Sequence, residues 1–219
     1  GLGAAIFLAE LAPRSASDAL TFMIELLAAV PSVIYGLLGI FLLVPFLQST
    51  LVPVLTSALG FLPIFQGKFF GVSVFSAGII LAIMIVPFIV SVSREVLLAV
   101  PQDQREAALA LGATKWEATW KIVVPYATRG IMGSVFLALA RALGETMAVT
   151  MVIGNKPQIS TSLLEPGYSI AAVMANEFQE ASGMHLQVLI ELGLVLFALT
   201  VLINGGARLL ILSAKGGGK

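Results

Sequence analysis

Four long runs of apolar residues do most to constrain how this chain can fold. A helix that crosses a membrane needs about 20 consecutive, predominantly apolar residues. The runs at 21–47, 71–92, 130–153 and 186–212 meet that length. Charged residues make up only 11% of the 219 residues, whereas soluble domains carry about 25%. The sequence therefore predicts an all-α integral membrane protein.

The two ends of the chain favour a single transmembrane domain whose start is missing. Residues 1–9 are apolar but show no initiator Met, basic segment or cleavage site, so they are not typical of a signal peptide. We interpret them as the end of a membrane helix that begins before Gly1. The predicted domain, 1–212, then contains this helix stub and four full spans. A C-terminal tail follows at 213–219.

The distribution of Lys and Arg predicts which side of the membrane each loop faces. Cytoplasmic loops carry an excess of these residues. Only Lys68 and Lys156 lie on one side of the predicted spans, and Arg141 lies within a span. We therefore expect the long polar loop at 93–129 and the C-terminus to be cytoplasmic. The basic residues on that side are Arg14, Arg94, Arg105, Lys115, Lys121, Arg129, Arg208, Lys215 and Lys219.

The polar loop at 93–129 reads as two short helices separated by a glycine. Pro101 ends the preceding helix and suits the start of a new one. Gly112 fits the left-handed position that ends a helix. Thr114 and Glu117 have the spacing of a capping box, which predicts a second helix start. These features alone leave open whether the loop is an ordinary connector or a docking surface.

A motif in this loop resembles the EAA motif of ABC importer permeases. It consists of Glu106-Ala107-Ala108, Gly112 six residues after the Glu, Ile122 and Pro125, with Val124 where the family has Leu. The resemblance implies a type I importer permease whose loop docks into a groove of a separate ATP-binding cassette ATPase. The residues implied in docking are Glu106, Ala107, Ala108, Gly112 and Ala113.

Three further segments resemble the phosphate permeases within that family: 31–36, 71–78 and 141–155. The resemblance implies a non-catalytic, multi-pass subunit of the bacterial inner membrane that carries inorganic phosphate. It also implies a second permease subunit, ATPase subunits and a periplasmic phosphate-binding protein as partners. Sulfate and molybdate permeases share the EAA loop more than the segment 141–155, so another oxyanion remains an alternative substrate.

Arg141 is the residue that physical reasoning connects with an anion. It lies twelve residues beyond Arg129, which at 1.5 Å per residue places it roughly 18 Å into the bilayer, near its middle. Glu145 follows four residues later, where a helix would put it on the same face. Arg141 either pairs with Glu145 or contacts a passing phosphate, and the two roles are compatible. We take Arg141, Glu145 and Thr146 as the candidate substrate path.

Other classes of function find little support in the sequence. The net charge is zero, so no basic surface for nucleic acid is evident. With no Cys and one His, we expect no metal site. The sequence contains no phosphate-binding loop motif, so we expect no binding of ATP or of a cofactor. Two alternatives stay open: an ion-coupled secondary transporter, which usually shows internal repeats that are not evident here, and a structural scaffold, which leaves Arg141 unexplained.

Overall fold

The computed structural model describes residues 1–213, and within this range the backbone forms helices but no β-strand. A short 3₁₀ turn, Pro63–Phe65, lies between the third and fourth helices. Apart from its first residue, the predicted tail at 213–219 lies outside the described residues. The helices are α1 (Leu2–Leu11), α2 (Arg14–Ala29), α3 (Ser32–Leu59), α4 (Val74–Leu98), α5 (Gln102–Ala110), α6 (Lys115–Leu143), α7 (Met147–Ile153), α8 (Ile170–Glu177) and α9 (Met184–Ser213).

Four of these helices, α3, α4, α6 and α9, are long and apolar enough to cross a membrane. The prediction of an all-α membrane protein is confirmed, and the number of candidate spans equals the four that the sequence predicts. Large apolar side chains on α9 are widely exposed; Phe197 and Leu202 are 67% and 72% exposed. Because extended apolar patches of this kind are rare on soluble monomers, this surface suits contact with lipid or another subunit.

At four prolines in or beside these helices, the backbone avoids a steric clash in the same way. A proline cannot donate its backbone nitrogen to the carbonyl four residues earlier, and its ring clashes with that carbonyl. A π turn, which holds one extra residue, ends two residues before each of Pro13, Pro45, Pro53 and Pro125. The wider turn relieves the clash, so α3 and α6 continue through their prolines. The π turns are Phe7–Leu11, Gly39–Leu43, Leu47–Leu51 and Thr119–Val123.

The prediction of one helix over 21–47 is wrong. α2 ends at Ala29, and Pro31, with a ψ of 138°, stands as the cap of α3. The residue before a proline disfavours helical geometry, which explains the break. α3 then extends to Leu59, through the first part of the region predicted as a loop at 48–70.

The prediction of one helix over 130–153 is also wrong. α6 begins at Lys115 and ends at Leu143, and α7 begins only at Met147. The intervening segment, 144–146, is the sequence Gly-Glu-Thr. Taken together, these three residues favour a helix less than the apolar residues on either side of them do. A non-helical break therefore interrupts the segment that carries the candidate substrate path.

The first of two compact units contains α1, α2, α5, most of α6 and parts of α4 and α9. Its core joins Leu8 of α1, Leu97 of α4 and Val123 of α6. A hydrogen bond of 2.6 Å between the hydroxyl oxygens of Ser93 and Ser134 also connects α4 with α6. The unit comprises Gly1–Ala29, Ile85–Arg141 and the described part of Val201–Lys219.

The second compact unit comprises Val30–Met84 and Ala142–Thr200. In it α3 packs closely on α7, because glycines leave no side chain between the two backbones. A Cβ atom added at Gly39 would lie 2.7 Å from Cγ1 of Val152. After α7 the chain turns at Gly154, with a φ of 94°, and forms an isolated bridge with Gly167. The single domain predicted at 1–212 stays a prediction.

Candidate functional site

The polar loop forms the helix–glycine–helix arrangement that its sequence predicts. α5 begins after Pro101, whose ψ is 139°, and Gly112 turns the chain with a φ of 88°. At the start of α6, Thr114 Oγ1 accepts a hydrogen bond from the backbone nitrogen of Glu117 at 3.3 Å. Glu117 Oε2 accepts one from the backbone nitrogen of Thr114 at 3.0 Å. The capping box is confirmed, but the second helix is continuous with α6 instead of separate.

The five predicted docking residues differ in their accessibility. Glu106, Ala107 and Gly112 are exposed, and Ala113 is half-buried. Ala108 is only 6% exposed, so its methyl group packs within the first unit. Four of the five can be reached by another protein, while Ala108 supports the hairpin from inside. Their role in docking stays a prediction.

Exposed apolar side chains extend this surface beyond the motif. Leu111 is 90% exposed and Trp116 is 57% exposed. Trp116 contacts Trp120 edge to face, with ring centroids 5.6 Å apart, so the two side chains lie on one face of α6. Sequence reasoning missed Leu111, because an apolar residue at a helix end is ordinarily assigned to the core; its place directly before the exposed Gly112 was the available signal. We call Glu106, Ala107, Leu111, Gly112 and Trp116 the coupling surface, after the role that the resemblance in this loop implies.

Arg141 lies in the last turn of α6, where a cation is favoured by the helix dipole. Its side chain is exposed in this chain, and its Cζ atom lies 5.5 Å from the ring centroid of Phe88 on α4. The ring face attracts the guanidinium but does not neutralise its charge. Phe88 lies inside a helix long enough to cross the membrane. The guanidinium is thus held, still charged, beside the interior of a span.

Glu145 makes a different contact from the one its spacing predicts. Because α6 ends at Leu143, Glu145 does not share a helix face with Arg141, and the basis for an i,i+4 pair is wrong. Glu145 Oε1 instead accepts a hydrogen bond from the backbone nitrogen of Ala148 at 3.2 Å, in the first turn of α7. Thr146 Oγ1 donates to the carbonyl of Gly144 at 3.3 Å. Both side chains therefore stabilise the break between the helices.

The second unit contains a cavity of about 310 Å³ next to this break. Its lining is apolar apart from Glu145 and Ser169, and includes Ala77, Val149 and Leu196. In the described part of the chain, no group of three or more His, Cys, Asp or Glu side chains is placed to hold a metal ion. The expectation that the chain uses no metal or cofactor stays a prediction.

Comparison with known proteins identifies the family of this chain. The model of the family described as "Binding-protein-dependent transport system inner membrane component" matches residues 1–213. The chain belongs to this family of inner-membrane transport components. That membership agrees with the four spans and with the resemblance found in the polar loop.

Individual relatives are similar over nearly the whole chain. "Phosphate transport system permease protein PstC" of Pasteurella multocida is 49% identical over 214 residues, which cover 96% of this chain and 67% of the relative. The protein of the same name from Haemophilus influenzae is 50% identical over 213 residues, covering 95% and 68%. "Phosphate transport system permease protein PstC 2" of Mycobacterium tuberculosis is 44% identical, covering 94% and 65%. The chain spans about two thirds of the length of these relatives.

Proposed function

We propose that this chain is a permease subunit of an ATP-driven importer of inorganic phosphate. The observation that carries the proposal is the identity of about half of all residues, over nearly the whole chain, with phosphate transport permeases. In this proposal the chain is a non-catalytic, multi-pass subunit of the bacterial inner membrane with a cytoplasmic C-terminus. It forms the translocation path with a second permease and receives phosphate from a periplasmic binding protein.

Coupling to ATP hydrolysis is assigned to the coupling surface. An exposed carboxylate at Glu106, exposed apolar groups at Leu111 and Trp116, and an open backbone at Gly112 offer a mixed surface of the kind that protein partners use. Glu106→Ala should weaken capture of the ATPase by the membrane-extracted complex. Gln104→Ala, on the same exposed helix but outside the motif, is the matched control.

A second variant tests the same surface through its backbone. No neighbouring atom lies within 4 Å of a Cβ built at Gly112, yet its φ of 88° is one that other residues rarely adopt. Gly112→Asp therefore strains the turn and adds a charge, and we expect ATPase capture to fall while the chain stays in the membrane. Undiminished capture by both variants would refute the docking proposal.

Arg141 is proposed to contact phosphate as it crosses the membrane. A guanidinium presents several N–H donors in a fork that matches phosphate oxygens. Arg141→Gln should abolish phosphate uptake while the complex still assembles. Arg141→Lys, which keeps the charge but not the fork, should retain partial uptake. Wild-type uptake by Arg141→Gln would remove this residue from the path.

The substrate is tested by uptake into cells or vesicles with and without this subunit in the full complex. We expect phosphate uptake to require the subunit, and sulfate and molybdate uptake to be unaffected by it. Uptake of sulfate or molybdate in preference to phosphate would favour the alternative oxyanion. Transport that continues without the ATPase would point to an ion-coupled carrier instead.

A further inference from the structure

The guanidinium of Arg105, on α5, contacts groups from three parts of the first unit. Its Nη2 atom lies 2.8 Å from Oε1 of Glu10, and its Nε atom lies 3.3 Å from each carboxylate oxygen. Nη2 also donates to the carbonyl oxygen of Leu97 at 2.7 Å, and Nη1 donates to that of Val100. We call Arg105, Glu10 and these two carbonyl groups the Arg105 clamp.

The clamp joins α5 to the ends of two other helices. Glu10 lies in the π turn at the end of α1, and Leu97 lies in the last turn of α4. The last carbonyls of a helix have no partner within it and carry the negative end of its dipole. A guanidinium can serve several such acceptors at once because its donors point in fixed, diverging directions. One side chain therefore connects three helices.

Both charged partners are largely withdrawn from solvent. The side chain of Arg105 is 19% exposed and that of Glu10 is 10% exposed. Removing either partner leaves a charge that is partly buried and unpaired, which is far more costly than losing an exposed pair. A cavity of about 430 Å³, lined in part by Glu10, Arg14 and Lys115, lies beside the pair. On the side of α5 that faces this cavity, the helix is held by the polar contacts of Arg105 and not by dense side-chain packing.

We propose that the Arg105 clamp transmits the movement of a docked ATPase from α5 into α1 and α4. The proposal rests on the proposed function, because Arg105 directly precedes Glu106 of the coupling surface. α5 has 9 residues, and helices of this length are not stable on their own in water. It can pass on a force only through its connections to longer helices. Arg105 and Glu10 are thus positioning residues for transport and do not contact phosphate.

The test compares phosphate transported per ATP hydrolysed in the full complex reconstituted in liposomes. Glu10→Gln keeps the shape of the side chain but removes its charge. We expect ATPase capture to stay at the wild-type level and phosphate per ATP to fall by about two- to thirty-fold, the range seen when a coupling contact is weakened. A purely structural role would lower the amount of folded complex but not this ratio.

A matched control removes an ion pair that is exposed. Lys121 Nζ lies 3.5 Å from Glu117 Oε1 in the same loop, and the two side chains are 74% and 44% exposed. Lys121→Gln should leave phosphate per ATP unchanged. An unchanged ratio in Glu10→Gln would refute the clamp proposal. Loss of ATPase capture in that variant would also overturn it, since the clamp would then hold the docking surface and not transmit its movement.

A cross-link provides a second variant in which neither charge is left without its partner, because both residues are replaced. The 219 residues contain no cysteine, so in a Glu10→Cys, Arg105→Cys variant the two new thiols are the only ones within these residues and can be joined by a short bifunctional thiol reagent. We expect low phosphate per ATP before cross-linking and recovery afterwards. No recovery in cross-linked, ATPase-bound complex would refute the proposal. Failure of Glu106→Ala to reduce ATPase capture would instead contradict the docking function, so the two failures are distinguishable.

Discussion

Gly39 gives a quantitative test of the close packing between α3 and α7. A Cβ atom at this position would lie 2.7 Å from Cγ1 of Val152 and 3.1 Å from Cγ1 of Ile80, whereas non-bonded carbons prefer about 3.5–4.0 Å. Val152 is completely buried, and its β-branched side chain has few alternative rotamers. Overpacking of this kind costs about 1–3 kcal/mol. Gly39→Ala should therefore destabilise the second unit.

Gly78 on α4 provides the matched control, because a Cβ atom there meets nothing within 4 Å. Replacing a helical glycine by alanine gains up to about 1 kcal/mol in helix propensity, and that gain applies to Gly39→Ala and Gly78→Ala alike. The difference between the two variants thus isolates the steric cost. We expect Gly39→Ala to be less stable than Gly78→Ala by about 1–3 kcal/mol.

Thermal unfolding of the detergent-purified protein, followed by loss of the monodisperse size-exclusion peak, measures this difference. At about 2–4 °C per kcal/mol for a chain of this size, the two melting temperatures should differ by roughly 2–12 °C. Adding Val152→Ala to Gly39→Ala should recover part of the loss, since it removes the nearest clashing atom. Equal melting temperatures of Gly39→Ala and Gly78→Ala would show that Val152 moves aside freely, and would refute the reasoning.

Four further substitutions test local features of the two units. Thr114→Ala removes the cap of α6 and should cost about 1 kcal/mol in thermal stability, while Glu117→Gln, which can still accept the backbone hydrogen bond, should cost less. Ser134→Ala removes the hydroxyl that bonds Ser93; in a membrane span this should cost about 0.6 kcal/mol, and a loss above 2 kcal/mol would contradict a simple hydrogen-bond role. Partial burial raises the pKa of Tyr168 above its ordinary value, so its contribution to stability is present below about pH 10 and is lost as the pH rises through the higher folded value. Ultraviolet titration against Tyr168→Phe measures this, and a phenol that ionises at or below the ordinary pKa contradicts it.

The apolar spans and the capping box of the polar loop could be predicted because their signals are local. Apolar runs have the length that a bilayer needs, and the capping box of Thr114 and Glu117 is set by residues three apart. The breaks were harder to predict. Pro31 separates two helices, while Pro45 and Pro53 lie within one. A single sequence does not show which prolines are preceded by a π turn.

Contacts between residues that are far apart along the chain could not be predicted from the sequence. Glu10 and Arg105 are 95 positions apart, and no spacing rule connects them. Glu145 has the spacing of an ion pair with Arg141, but the short polar segment at 144–146 ends the helix that this spacing assumes. The identities of the candidate path residues were readable from the sequence, whereas their contacts depended on where the helices stop.

The π turns before the prolines also affect how these helices tolerate changes in length. One extra residue in a regular α-helix would rotate every later side chain by about 100°, and would turn a lipid-facing surface toward the core. A π turn absorbs that residue locally. The side chains on either side of the turn therefore point in the directions that they would have in a helix without the extra residue. Deleting one residue from Gly39–Leu43 or Thr119–Val123 together with replacing the following proline by alanine should thus leave both flanks in register. The same deletion in α9, which has no π turn in its described residues, would shift every contact beyond it.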